Sequence, residues 1–310
     1  MKTVLLLGGY GFLGTNILKY IDDNLCDGYR AIVFDKYPVH PAGVTFGCVV
    51  RSYAGDFQDE VLLNRVLDEN RVDLVIHAIS TTIPTSSFNA RYDIESNLIP
   101  TVALLNGLIR HDIRDIVYLS SGGAVYGNAS AERHKESDDV FPISSYGVVK
   151  LAIEKYMMEY AQLYGLRPLI LRLSNPYGPW HYSMKQGVCN VAMATALAGN
   201  TFSVWGDGTT RKDYIYVEDF TKLLFRLLHA DIHSQVVNIG SGQIASVNDI
   251  LAHIKRLVPT FCWTNTDSSC YDVSHFELDT TKLQTLVGPF AFTELKEGLE
   301  KTYIWHRAYK

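Results

Sequence analysis

Short, branched apolar runs alternate with amphipathic stretches from the first residue onward. The runs "TVLLLG" (3–8), "AIVFD" (31–35), "DLVIHA" (73–78), "DIVYLSS" (115–121) and "PLILRLS" (168–174) suit strands covered on both faces of a parallel sheet. Between them lie "FLGTNILKYIDD", "DEVLLNRVLDEN", "NLIPTVALLNGLI" and "SYGVVKLAIEKYMMEYAQLYG", which read as helices with one apolar face. This rhythm predicts the α/β class, with a Rossmann-type doubly wound parallel sheet and right-handed crossovers. After residue 174 it breaks at "NPYGPWHYSMKQG", a loop-like stretch of Pro, Gly and aromatics. A helix is predicted at about 188–199, a further strand in "VVNIGSG" (236–242), and Ser246 as N-cap of "VNDILAHIKRLV". The expected organisation is a nucleotide-binding domain over 1–174, rejoined by about 213–242, and a smaller C-terminal lobe over 175–310. No strong linker, repeat or low-complexity tract separates the two, so they are expected to share a cleft.

Composition narrows the class. Hydrophobic residues at 47% and charged residues at 20% of 310 are ordinary for a protein with a large core. The net charge of -5 argues against a dedicated nucleic-acid binder, and the pair Arg211-Lys212 reads as a phosphate grip or a solvated turn. No stretch approaches the roughly 20 apolar residues of a membrane span. Glycines interrupt the signal-like opening "MKTVLLLGGYGFLG", which is taken as a first strand, and a cytoplasmic protein is expected. The cysteines Cys26, Cys48, Cys189, Cys262 and Cys270 are odd in number and irregular in spacing. They predict free buried thiols rather than disulfides or a metal site.

The candidate chemistry begins at "GGYGFLG", where Gly8, Gly11 and Gly14 are spaced G-x-x-G-x-x-G between strand and helix. Glycines there let the backbone approach a pyrophosphate seated on the helix N-terminus. Asp35 ends the second strand about twenty residues on, where a carboxylate can accept both ribose hydroxyls and repel a 2′-phosphate. NAD is thereby favoured over NADP. Asp56 and the strand end "HAIS" are candidate adenine and ribose neighbours, with His77 read as a structural histidine. Tyr146 and Lys150 stand four apart in "SSYGVVK", on one helix face. A lysine cation beside a phenol stabilises phenolate and lowers its pKa from about 10. The tyrosines of "EKYMMEYAQLY" read as a packing face, and Met157 and Met158 as filler.

Taken together, "GGYGFLG", "HAIS", "SSGGAVYG", "PISSYGVVKLAIEKY", "LRLSNPYGP", "GDGTTRKDYIYVED" and "NIGSG" resemble the NAD-dependent sugar-nucleotide epimerase/dehydratase family of extended short-chain dehydrogenases/reductases. The nearest likeness is to 4-epimerases acting on UDP-glucose and UDP-galactose or their N-acetyl forms. The resemblance implies a cofactor set of Gly8, Gly11, Phe12, Leu13, Gly14, Asp35, Asp56 and Phe57, continued by Ala78, Ile79, Ser80, Asn97, Ser120, Tyr146 and Lys150. It implies Tyr146, Lys150 and Ser121 as the catalytic group, with Gly122, Asn175, Arg211 and Lys212 toward the substrate. In the implied mechanism Tyr146 takes the proton of the sugar 4-OH, hydride passes from C4 to NAD, and the 4-keto sugar turns before hydride returns to its other face. Lys150 holds the nicotinamide ribose, and NAD is recycled in place. Relatives commonly dimerise through two helices per subunit, here those at about 96–110 and 145–164.

Three departures qualify the likeness. Registered on Val125-Tyr126-Gly127, the family's catalytic Ser or Thr falls on Gly122, so Ser121 substitutes through a backbone shift, or a water or another hydroxyl serves. Strand alternation makes the first option strained, although Ser121 is the preferred candidate. Lys212 replaces the usual arginine before the aspartate, with Arg211 displaced by one, and "SSCYDV" (268–273) lacks a second arginine. The diphosphate grip is therefore rearranged, which leaves other nucleotides or a lipid-linked sugar diphosphate open. Gly123 and Ala124 occupy the positions of the 4,6-dehydratase Asp-Glu pair and cannot transfer protons, which opposes dehydration. Beside the epimerase stand a net reductase or dehydrogenase, and an NAD-binding sensor or scaffold that Gly122 favours and the Tyr146–Lys150 pair opposes.

Overall fold

Val4 and Leu6 of strand β1 (Lys2–Leu7) enter one apolar layer, while Leu5 and Leu7 enter the opposite one. Burial on both faces is what the unbroken apolar run requires of an interior parallel strand. The computed structural model describes residues 1–83, 89–127, 133–267 and 275–309. The strands that follow β1 are β2 (Tyr29–Asp35), β3 (Val49–Ala54), β4 (Leu74–His77), β5 (Asp115–Ser121) and β6 (Arg167–Leu173). Beyond them come β7 (Asn175–Tyr177), β8 (Thr201–Trp205), β9 (Arg211–Tyr216), β10 (Gln235–Ile239), β11 (Ile244–Ser246), β12 (Cys262–Thr266) and β13 (His275–Phe276).

Seven of these form one parallel sheet in the order β10-β6-β5-β4-β1-β2-β3. Strand β3 escapes the apolar-run criterion because it is an edge strand. In "VVRSYA" only Tyr53 is buried, and Arg51 reaches out to the Tyr53 hydroxyl at 2.9 Å. The chain steps from β1 to β2 on one side and returns to β4 on the other. That makes the carboxyl ends of β1 and β4 the switch point where α/β sheets open a crevice.

The helices are α1 (Phe12–Asn24), α2 (Glu60–Glu69), α3 (Ala90–Asp93), α4 (Ile99–Arg110), α5 (Gly122–Tyr126) and α6 (Ser145–Tyr164), followed by α7 (Val188–Leu197), α8 (Val217–His229), α9 (Val247–Leu257), α10 (Thr281–Val287) and α11 (Leu295–Ala308). Apolar side chains of α1 and α8 cover one face of the sheet, and those of α2, α4 and α6 the other. Ser144 caps α6 by accepting from Gly147 N at 3.2 Å, and Gly165 ends it at φ 71°, a left-handed value that favours glycine. Of the three tyrosines read as a packing face, Tyr160 is buried, whereas Tyr156 and Tyr164 are exposed. Ser246 caps α9 in a capping box with Asp249.

Strands β7, β9, β11 and β13 make a second sheet, and β8 pairs with β12. With α7, α9 and α11 they enclose a separate apolar cluster. Between these pieces α8 packs on α1, and β10 joins β6 at the edge of the large sheet. Cys48 and Cys189 are buried free thiols as expected, but Cys26 and Cys262 are exposed, and Cys270 lies outside the described residues. Among the described residues no helix is long and apolar enough to cross a membrane.

Candidate active site

The glycine-rich turn joins β1 to α1 at the crevice. Gly8 has φ 80°, and a Cβ there would lie 3.2 Å from Ile79. A Cβ on Gly14 would collide with the Gly8 carbonyl and stand 2.7 Å from Gly9 Cα, so only glycine lets the helix start this close to the loop. Gly11 precedes helix α1 as its N-cap and offers no side-chain cap, and the first turn holds no acid, which leaves its amides to an anion. Asp35 is buried, and its Oδ2 accepts from Tyr10 N at 2.9 Å, tying the carboxylate to the glycine turn. These features fit a dinucleotide: a cradle that a Cβ would fill, open amides and an acid at the end of β2.

The other expected cofactor neighbours divide. Phe12 packs edge-on against His181 with ring centroids 4.5 Å apart, and Leu13 is half-buried beside it. Phe57 is buried against His77 at 5.0 Å, whereas Asp56 is exposed and accepts from Gln58 N at 2.9 Å. Ala78, Ile79 and Ser80 carry the chain out of β4. Ser120 points away from the crevice, spending its hydroxyl on Glu154 at 2.5 Å. Asn97 accepts from Thr81 N at 2.9 Å and lines a small pocket with Ser80, Tyr118, Tyr146 and Lys150.

Tyr146 and Lys150 project from the first turns of α6 into that pocket. Lys150 is buried, donates to the Leu119 carbonyl at 2.9 Å, and lies 4.7 Å from the Tyr118 ring and 5.8 Å from the Tyr146 ring. Burial lowers its pKa to about 8, against the raising influence of Glu154. The expected lowering at Tyr146 is not what the protein alone produces: burial pushes the phenol up to about 12. The hydroxyls of Ser80 and Ser121 hydrogen-bond the Tyr146 phenol and pull the other way. Burial is the larger influence on the phenol and outweighs both hydroxyls. His77 is buried and bonded to Thr101 Oγ1 at 3.0 Å. Burial first, and then Lys150, depress its pKa to about 3, which keeps it neutral.

The serine hydroxyl on β5 that acts on the phenol stands one residue before the position given by the family registration. Strand β5 ends at Ser121, which keeps extended angles, and the chain turns into α5 at Gly122. A Cβ on Gly122 would lie 2.9 Å from Phe276 Cζ, 3.0 Å from Leu278 Cδ2 and 3.3 Å from the Leu173 carbonyl. Gly122 is therefore buried under β13 instead of facing Tyr146, and Ser121 presents the hydroxyl. The turn at Gly122 ends the strand alternation that made the Ser121 option strained.

The expected substrate residues lie across the crevice on the second sheet. Asn175 of β7 donates to the Asp213 carbonyl at 2.9 Å. Arg211 is exposed and acts on Asp249, whereas Lys212 is half-buried, as alternation along β9 requires of neighbours. The segment 268–273 falls outside the described residues. Two features went unread in the sequence: Ser80 at the phenol, and a buried Glu154–Arg172 pair below Lys150. The four-residue spacing that pairs Tyr146 with Lys150 continues to Glu154, and was the available signal.

The model of the NAD dependent epimerase/dehydratase family matches residues 4–240. A Methanocaldococcus jannaschii protein provisionally named UDP-glucose 4-epimerase is 30% identical over 97% of each chain. The Thermotoga maritima UDP-glucose 4-epimerase, solved with UDP-glucose, superposes with a TM-score of 0.91 at 27% identity over 99% of each chain. The Thermus thermophilus UDP-glucose 4-epimerase, solved with NAD, gives 0.89 at 26% identity over 98% of this chain and 99% of that one.

Proposed function

This chain belongs to the NAD dependent epimerase/dehydratase family and uses NAD, and we propose that it interconverts nucleotide sugars epimeric at C4, with UDP-glucose and UDP-galactose or their N-acetyl forms as substrates. The observation that carries the reading is the Tyr146 phenol hydrogen-bonded by two serine hydroxyls beside a buried Lys150, with no acid at Gly123 or Ala124.

In this reading Tyr146 removes the proton of the sugar 4-OH and later returns it. Ser121 bridges the sugar oxygen and the phenol, and Lys150 holds the ribose next to Tyr146. Asp35 receives the adenosine ribose hydroxyls, and Asn175, Arg211 and Lys212 face the diphosphate. When bound, NAD supplies the hydride acceptor, together with a positive ring whose charge favours the Tyr146 phenolate. A proton leaves and returns at one phenol, so no second acid is needed; dehydration would need one. The exposed apolar residues Ile99 on α4, and Val148, Tyr156 and Leu163 on α6, support a homodimer through these helices. Free cysteines suit a reducing cytoplasm.

The test is to purify the protein, measure retained NAD, and incubate it with each nucleotide sugar without added cofactor. Interconversion without net NADH supports the epimerase. Stoichiometric NADH with an oxidised product would replace it with a dehydrogenase.

A further inference from the structure

Glu154 lies one helical turn beyond Lys150 and two beyond Tyr146, on the same face of α6. Its side chain is 2% exposed, and that of its partner Arg172 on β6 is 5% exposed. Arg172 Nη2 donates to Glu154 Oε2 at 2.7 Å, and Nε reaches both carboxylate oxygens at 3.2 Å. The Ser120 hydroxyl donates to Oε1 at 2.5 Å. Ser120 immediately precedes Ser121, so one carboxylate fastens the strand end bearing Ser121 to the helix bearing Tyr146.

A buried ion pair is a poor source of stability, since apolar replacements of similar volume are often neutral or better. Its orientation gives a different reason for its presence. The carboxylate acts on Lys150, while the guanidinium is stacked 4.8 Å over the Tyr126 ring. The remaining groups facing Lys150 are the rings of Tyr118 and Tyr146, the Leu119 carbonyl and His77, which burial keeps neutral. Among the described residues Glu154 is the carboxylate that acts on this ammonium.

We propose that Glu154, anchored by Arg172 and Ser120, is a positioning residue that holds the charge of Lys150 beside Tyr146 and keeps the Ser121 strand end against the catalytic helix. The proposal rests on reading Tyr146 and Lys150 as the reacting pair.

The test is the alkaline limb of kcat in the NAD-loaded protein. Ionisation of Tyr146 is followed in parallel, as the tyrosinate ultraviolet difference against Tyr146→Phe. In Glu154→Gln, Lys150 loses its proton earlier, so the limb is expected to move to lower pH by about one unit. The phenol should then ionise at higher pH. Glu154→Asp keeps the charge and should restore the limb. If Glu154→Gln does not fold, combining it with Arg172→Gln removes both charges without stranding the arginine; losing the cation partly offsets losing the carboxylate, so a smaller shift in the same direction is expected. A limb that stays in place while kcat falls evenly across pH would overturn the proposal. The tyrosinate readout needs no turnover. A shifted titration in a protein that converts no nucleotide sugar would retain the role of Glu154 and discard the epimerase reading.

Discussion

Ser121 hydrogen-bonds the Tyr146 phenol from the last position of β5, one residue before the chain turns into α5. Removing that hydroxyl takes a hydrogen bond from a phenol that carries charge in the proposed reaction, an interaction worth about 1.5–3 kcal/mol. Ser121→Ala is expected to lower kcat about ten- to hundredfold while NAD stays bound. Ser80→Ala, losing the second hydroxyl, should cost less if Ser121 alone also meets the sugar. Steady-state kinetics of the two variants and their combination separate the roles, and a fully active Ser121→Ala would show that the hydroxyl comes from elsewhere.

Gly122→Ser restores a hydroxyl where registration places it, but its side chain would point at Phe276 and Leu278. Its Cβ would press on Phe276 and Leu278, both 2% exposed, at 2.9 and 3.0 Å. Overpacking of this kind costs about 1–3 kcal/mol. The substitution should lower the unfolding midpoint and fail to rescue Ser121→Ala. Recovery of activity in the double variant would mean that the strand end can shift by a residue.

Tyr146→Phe removes the proposed proton acceptor and little volume. Turnover should fall by about 10²–10⁴-fold, the usual contribution of positioned acid–base catalysis. Retained NAD, measured after denaturation, should be unchanged. Full activity would refute the assignment of the phenol.

His77 makes stability depend on pH. Its folded pKa of about 3 lies below the ordinary histidine value of 6.5, so only the unfolded chain takes up its proton in that window. The stabilisation is present above the unfolded pKa and is lost as pH falls toward 3. Between pH 7 and 4 the wild type should lose about 3 kcal/mol more than His77→Gln, read from urea unfolding at each pH.

Gly14→Ala tests the cofactor cradle. A methyl there meets the backbone of Gly8 and Gly9, with Gly9 Cα at 2.7 Å, and no side chain can move aside to admit it. The purified variant should carry less NAD and unfold at lower temperature. Wild-type NAD content would show that the turn is not the binding loop.

Legibility in the sequence followed locality. The apolar runs of β1, β2, β4, β5 and β6 announced a buried parallel sheet because each such strand is covered on both faces by its own neighbours. Edge strand β3 gave no such signal, because solvent on its outer side permits Arg51 and Ser52. The cap at Ser246 and the facing of Tyr146 and Lys150 were readable because helical spacing is set within a few residues.

What reaches across the chain was not readable. Phe276 and Leu278 come from β13 and the chain just beyond it, yet they fill the space into which a side chain at Gly122 would point. The burial that raises the Tyr146 phenol and lowers Lys150 belongs to the packed site rather than to either residue. Glu154 and Arg172 meet only because α6 lies on β6. By itself the sequence determined the periodicities, the glycine turn and the Tyr-Lys spacing, all consequences of short-range backbone geometry. Tertiary structure alone decided that Ser80 joins Ser121 at the phenol and what charge surrounds it, because hydrogen-bond reach and desolvation depend on residues brought together from distant parts of the chain.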